Sequence, residues 1–240
     1  GVLEIGPGIG VLPRELAKRA AKVVSIEVDE RLPPLLAETM AGVDNFKLVL
    51  QDVLKVDLKA LIAQEFPGMP VAVCANLPYY ITWPIIMRLL EGPLPIRSLT
   101  VMVQKEAAVR ITAAPGTREC GAISAAVWYY STPKLLFPVS RGSFLPAPAV
   151  DSAVIRLDLP QELPEDLPPR EDFFAVVRAG FGQRRKTMLN SLSAGLRWEK
   201  DATRALLTAA GIAENARAEQ VTLEQWKALT RAYFSMKKSR

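Results

Sequence analysis

Short apolar runs alternate with amphipathic stretches through the first 159 residues of this 240-residue chain. No other property constrains its fold as much. The apolar runs read as buried strands over Gly1–Ile5, Lys22–Glu27, Phe46–Gln51, Val71–Ala75, Ser98–Gln104, Lys134–Val139 and Ala153–Leu159. The stretches between them predict helices over Leu12–Ala20, Glu30–Ala41, Leu58–Glu65, Trp83–Glu91 and Lys105–Thr112. Asp57 is placed to cap the third helix, and Thr82 with Pro84 to open the fourth. Strands alternating with helices imply an α/β fold: a mostly parallel sheet covered on both faces. A Pro-rich connection without a long helix joins the last two strands, which predicts an antiparallel pair at the sheet edge.

Residues 160–169 (PQELPEDLPP) hold four prolines and three acids and read as a linker. Beyond them the pattern is helical to the end. The expected organisation is a sheet domain over 1–160, a linker over 161–170 and a small all-helical domain over 171–240. Residues 181–240 carry twelve Lys and Arg against five Asp and Glu, whereas residues 1–160 carry sixteen against fifteen. The basic excess thus belongs to the helical part, chiefly Arg184-Arg185-Lys186 and the terminal Lys237-Lys238-Ser239-Arg240, and it is compatible with a polyanionic partner without demanding one. If helical, the Arg184–Lys186 triplet fans over more than half of a helix circumference.

The chain has no histidine and two cysteines. Ser-His and Cys-His catalysis, His-containing metal sites and four-cysteine sites are therefore excluded. Cys74 lies in a predicted strand and reads as a structural thiol, in keeping with a reducing compartment. No apolar run reaches the ~18 residues of a membrane span. The chain opens inside a strand without an initiator Met, so its natural N-terminus is expected to lie upstream.

Chemistry collects at the predicted strand ends. Gly6-Pro7-Gly8-Ile9-Gly10 follows the first strand, and glycines there let backbone approach a ligand closely. Glu27 ends the second strand at the ~20-residue spacing of a carboxylate that grips ribose hydroxyls. Asp52 follows the third strand, where it can accept from an adenine amine. Ligands of open parallel sheets bind at this rim. G-x-G-x-G with no following Lys is neither a P-loop nor the usual dinucleotide pattern, and an adenosine ligand without phosphates, S-adenosylmethionine, fits it. Asp29 and Glu30 read as residues of a helix N-terminus, and Glu4 as a strand residue. The fourth strand runs into Asn76-Leu77-Pro78-Tyr79. An amide oxygen, an exposed carbonyl and an aromatic ring after a stiff proline suit the exocyclic amine and the face of a flat base.

Glu4–Gly10 (EIGPGIG), Val24–Arg31 (VSIEVDER), Gln51-Asp52-Val53, Asn76–Thr82 (NLPYYIT), Gln104–Arg110 (QKEAAVR) and Ser143–Ser152 (SFLPAPAVDS) occur in order along the chain. Together they resemble the ribosomal RNA adenine dimethyltransferases. Phe181–Leu192 (FGQRRKTMLNSL) resembles the KsgA branch, which acts on small-subunit rRNA, more than the Erm branch, which acts on large-subunit rRNA. The resemblance implies a Rossmann-like class I methyltransferase sheet. It also implies the methyl donor S-adenosylmethionine, no metal, and dimethylation of two adjacent adenines in a hairpin loop near the 3′ end of 16S rRNA in an immature 30S particle. A cytoplasmic monomer without membrane contact is expected. Carried over by position, Gly6 and Gly8 line the donor's methionine and ribose, Glu27 takes the ribose hydroxyls, Val28 lies against the adenine, and Asp52 and the Val53 amide read its edge. Asn76 belongs to the donor site as well, and with Leu77 and Tyr79 it holds the target adenine; Phe144 supplies its second stacking face, and Arg184, Arg185 and Lys186 contact RNA phosphates. The family has a segment ahead of the first strand, with a Gln-x-Phe-type stretch, that is absent here. The alternatives are an Erm-type enzyme, or an assembly factor whose binding matters more than its catalysis.

Overall fold

The computed structural model describes residues 1–92, 94–160, 167–183 and 185–238. All seven expected strands form: β1 (Val2–Ile5), β2 (Val23–Glu27), β3 (Phe46–Leu50), β4 (Val71–Asn76), β5 (Ile96–Gln104), β6 (Thr132–Val139) and β7 (Ser152–Asp158). They make one sheet in the order β3-β2-β1-β4-β5-β7-β6. The first five strands pair in parallel. β7 runs antiparallel to both β5 and β6, so the hairpin of the last two strands closes one edge as expected. Leu3–Ile5 of β1 and all of β2 are buried, as in strands covered by helices on both faces, and Leu3, Val23 and Val24 are completely buried.

Helices α1 (Val11–Ala17), α2 (Leu32–Thr39), α3 (Leu58–Glu65), α4 (Thr82–Glu91) and α5 (Lys105–Thr112) lie where the pattern placed them. Asp57 caps α3 by accepting from the Ala60 amide at 3.0 Å. Thr82 does not cap α4. It is the first helical residue, and its hydroxyl donates back to the Pro78 carbonyl at 3.1 Å. Asp29 and Glu30 precede α2 rather than opening it. Asp29 accepts instead from the Arg31 amide and guanidinium, which holds its carboxyl well below the usual range.

A sixth helix, α6 (Ala122–Tyr130), has no counterpart in the sequence reading. Its sequence AISAAVWYY is apolar on nearly every face, so no helical stripe marks it. The chain divides into two compact units, residues 1–108 with 130–161 and residues 109–129 with 162–240. In the second unit Tyr129 of α6 packs its ring 4.4 Å from Phe173 and 5.6 Å from Phe174, and donates to the Pro168 carbonyl at 2.9 Å. Those phenylalanines lie in α7 (Arg170–Phe181), which is followed by α8 (Met188–Leu196), α9 (Lys200–Ala209) and α10 (Leu223–Lys238). Trp226 of α10 is fully buried and stacks on Phe181 with centroids 5.5 Å apart. Residues 161–166 of the expected linker lie outside the described residues.

One buried charge cluster braces the sheet at the end opposite the ligand rim. Glu65, at the C-terminus of α3, is 4% exposed and receives Lys22 Nζ at 2.8 Å and Lys47 Nζ at 2.6 Å. Hydrogen bonds from Lys22 and Lys47 hold its carboxyl below the usual range, against the effect of burial. A depressed folded-state value adds stability above the unfolded value, near 4.3, and loses it as pH falls through the folded value. Glu65→Gln is expected to cost about 2 kcal/mol at neutral pH, and progressively less in urea melts below about pH 4. A cost that stays constant with pH would show that the ion pairs are not its source.

Candidate active site

β3, β2, β1 and β4 lie side by side and end on one rim. Asp52 follows β3, Glu27 closes β2, Gly6 follows β1 and Asn76 closes β4. Strand order reverses direction at β1, between β2 and β4, which is the switch point where open sheets of this kind take ligands.

The glycine turn has left-handed backbone at Gly6 (φ 73°), Gly8 (φ 55°) and Gly10 (φ 93°). A Cβ at Gly6 or Gly8 would meet nothing within 4 Å, so backbone conformation and an open approach require glycine there. At Gly10 a Cβ would also come within 2.7 Å of Thr39 Oγ1.

Glu27 is buried, and its Oε1 accepts from the amides of Val28 at 2.8 Å and Asp29 at 2.9 Å. One oxygen thus shapes the turn and the other is left for a ligand. Val28 is 66% exposed, an open apolar surface beside that carboxylate. Asp52 divides its oxygens the same way: Oδ1 accepts from the Leu54 amide at 2.9 Å, and Oδ2 lies 3.8 Å from Lys55 Nζ. The Val53 amide donates to no described residue, so a carboxylate acceptor and a backbone donor stand in sequence. That pair matches the amine and ring nitrogen on the edge of an adenine.

Asn76 is exposed and its side-chain amide bonds to no described residue. Leu77 is anchored on both sides, with its side chain 1% exposed and its amide donating to the Met102 carbonyl at 3.2 Å. No described residue donates to its carbonyl. Pro78 starts the 3-10 turn Tyr79–Ile81, and its carbonyl accepts from the Ile81 amide at 3.2 Å. The Tyr79 hydroxyl meets the Ser152 hydroxyl at 2.8 Å, and Ser152 is completely buried at the start of β7. Tyr79 is therefore held in place by a second strand.

Phe144 is half-buried at the end of a second 3-10 turn, Arg141–Ser143, on the β6–β7 connection. No ring contact joins it to Tyr79 among the described residues. The structure thus brings Gly6, Gly8, Glu27, Val28, Asp52, Val53, Asn76, Leu77 and Tyr79 to one rim. Phe144 stands on the loop that leads to Ser152. Arg185 and Lys186 belong to the other unit and are exposed, while Arg184 lies outside the described residues. Arg185 and Lys186 are not helical as expected: Gly182 caps α7 and Thr187 caps α8, which leaves both in the turn between them. No cluster of three His, Cys, Asp or Glu among the described residues is arranged to hold a metal ion.

Two residues near the site were not given roles from sequence. Ser152 sits within the quoted motif, but only the fold shows that its hydroxyl meets Tyr79. Glu4 is completely buried; its Oε2 accepts from Ser25 and its Oε1 has no partner among the described residues. Burial, aided by the Glu27 charge and opposed by the Ser25 bond, pushes its carboxyl up to about 7. Glu4 is in register with Ser25 and Cys74. By the two-residue period of strands, this polar layer lies directly below Gly6, Glu27 and Asn76 on one sheet face. The Cys74 thiol is free and pushed up to about 11 by burial and the Glu4 charge, so it stays protonated and unreactive.

A family model described as "Ribosomal RNA adenine dimethylase" matches residues 1–233. A protein of Alkaliphilus oremlandii (strain OhILAs), "Ribosomal RNA small subunit methyltransferase A", is 49% identical over 230 residues, covering 95% of this chain and 80% of its own length. Its namesake in Alkaliphilus metalliredigens (strain QYMF) is 50% identical over 232 residues, covering 96% and 80%. Among solved structures, the 23S rRNA methyltransferase ErmE aligns with a TM-score of 0.72 and 32% identity over 96% of this chain and 89% of its own. A dimethyladenosine transferase from Plasmodium falciparum shares the fold, with a TM-score of 0.77 and 24% identity over 98% and 90%.

Proposed function

The chain belongs to the ribosomal RNA adenine dimethylases, and from that membership we propose that it dimethylates two adjacent adenines of small-subunit rRNA, with S-adenosylmethionine as donor. The observation that carries the mechanism is the pair of unpaired acceptors at one strand end, Asn76 Oδ1 and the Leu77 carbonyl, beside a Tyr79 ring fixed through Ser152. The names of relatives at 49% and 50% identity support the small-subunit branch. The Erm-type alternative has the likeness to ErmE behind it, at a lower identity of 32%.

The donor supplies a sulfonium methyl, already electrophilic. An adenine amine is a weak nucleophile because its lone pair is delocalised into the ring. Asn76 and the Leu77 carbonyl accept from its two hydrogens and favour a pyramidal nitrogen whose lone pair points at the methyl. Tyr79 and Phe144 stack on the two faces of the base, which returns ~1–3 kcal/mol per ring against the cost of unstacking. Alignment of amine and methyl is the largest contribution, since well-oriented reactants gain ~7–11 kcal/mol. The amine becomes acidic only after methylation, so no strong base is needed first. On the donor side the Gly6–Gly8 turn holds methionine and ribose, Glu27 Oε2 accepts from the ribose hydroxyls, Val28 packs on the adenine, and Asp52 with the Val53 amide reads its edge. Arg185, Lys186 and Arg184 contact rRNA phosphates. The site works in a cytoplasmic monomer on an immature 30S particle, without metal; no helix among the described residues is long and apolar enough to cross a membrane.

Labelled-donor transfer to immature small subunits, naked 16S rRNA and large-subunit rRNA tests this reading. Label is expected in the small-subunit substrates as dimethyladenosine, and label confined to large-subunit rRNA would reverse the branch. Ser152→Ala should lower the single-turnover transfer rate about tenfold, the loss of one hydrogen bond of ~1 kcal/mol plus a looser ring. Tyr79→Phe should match it, and the double variant should be no slower. Additive losses would mean that Ser152 does not act through Tyr79.

A further inference from the structure

A cleft of about 380 Å3 opens beside the base-holding turn, at the ends of β5 and β7, with Gln104, Lys105, Glu106, Arg141 and Asp151 in its walls. We propose that it holds the phosphodiester linking the target adenosine to the neighbouring nucleotide. The inference rests on the functional reading above and assigns an RNA contact to residues that reading leaves unused. Asn76 pairs in register with Met102, and Gln104 lies two residues further along β5. Strand spacing and rise therefore separate Asn76 from Gln104 by ~8 Å, the span of one extended nucleotide. The cleft and the base site also share a wall. Ser152, which holds the Tyr79 hydroxyl, is the cross-strand partner of Gln104 and follows Asp151.

The cleft carries two cations, Lys105 and Arg141, and two carboxylates, Glu106 and Asp151. Asp151 pins both cation-bearing segments: its carbonyl accepts from the Lys105 amide at 3.0 Å, and its Oδ1 from the Arg141 amide at 3.0 Å. One oxygen of the Asp151 carboxylate is thereby turned to backbone. Arg141 Nη1 reaches the Ala149 carbonyl at 3.3 Å, which orients the guanidinium and leaves its other N–H groups for a ligand. Neither Arg141 nor Lys105 forms an ion pair with a described carboxylate, and both are exposed. Two cations on fixed backbone, one a planar fork and one a point charge, suit the two free oxygens of a phosphodiester. Gln104 at the floor can reach the edge of the neighbouring base.

The test is the affinity of a hairpin-loop RNA with two adjacent adenines, measured against salt for wild type, Lys105→Gln, Arg141→Gln and the double variant. Each lost phosphate contact should reduce the slope of log affinity against log salt by ~0.7, and the double variant by about twice that. Affinity at low salt should fall several-fold per substitution, while turnover at saturating RNA and donor affinity hold. Arg141→Lys keeps the charge and should retain most of the slope, which separates lost contact from lost folding. An unchanged slope in the double variant overturns the proposal, as does a fall in donor affinity, which would make the anion the donor's own carboxylate. If wild type methylates neither the hairpin nor immature small subunits, the functional reading fails instead.

Discussion

Asn76→Ala lowers the first methyl transfer by about 10²–10³-fold while leaving donor affinity within a few-fold of wild type. Asn76 is exposed, bonds to no described residue and ends β4, so removing its amide neither unfolds the strand nor opens a cavity. The loss falls on the reaction because the amide oxygen is an acceptor that matters most when the amine nitrogen turns pyramidal; such preorganised contacts are worth ~3–4 kcal/mol each. A second substitution separates acceptor from donor. Asn76→Asp keeps oxygen acceptors and loses the NH2 group, so it should remain clearly more active than Asn76→Ala. The once-methylated amine has a single hydrogen left, and Asn76 and the Leu77 carbonyl cannot both be satisfied. The Ala substitution should therefore slow the second transfer less than the first, and the monomethyl-to-dimethyl ratio in quenched time courses should fall. Wild-type rates in Asn76→Ala would remove the mechanism. Equal losses in the Ala and Asp variants would shift it from accepting to donating.

The sheet was legible because each strand is a bounded apolar run, and the donor side because its groups stand at consecutive strand ends, where sequence position and spatial position coincide. Legibility fails where an element's identity depends on what it packs against. α6 carries no amphipathic period, since its apolar residues meet other side chains nearly all round, and only the fold groups residues 109–129 with residues 162–240. Thr82 has the composition of a cap, yet Pro78 offers its hydroxyl a better partner one turn back. Arg185 and Lys186 read as helical because helices flank them; two caps close together leave them in a turn. Ser152 and Tyr79 are 73 residues apart, and no local pattern announces that their hydroxyls meet.

Glu27 carries the second large effect, and its two oxygens make that effect separable. Glu27→Ala removes the acceptor for the ribose hydroxyls and also leaves the Val28 and Asp29 amides without Oε1. Hydrogen bonds to a charged group contribute ~1.5–3 kcal/mol each, so donor affinity should fall about 10²–10³-fold. Glu27→Gln retains a carbonyl oxygen for the turn but faces the ribose with an amide, and should lose roughly tenfold to a hundredfold with the turn intact. Stability separates the two variants further, through Glu4. The Glu27 charge helps to raise the buried Glu4 carboxyl to about 7. A raised folded-state value opposes folding as pH climbs from the unfolded value, near 4.3, through that range, and the penalty is complete above it. Removing the Glu27 charge lowers the Glu4 value and relieves part of that penalty. Glu27→Gln should then match or exceed wild-type stability near pH 8, and the gain should vanish near pH 4, where Glu4 is protonated in the folded state of both proteins. Calorimetric titration of the donor and urea melts at the two pH values measure both halves. Undiminished donor affinity in Glu27→Gln would place the ribose elsewhere, and a pH-independent stability difference would mean that Glu27 and Glu4 are not coupled.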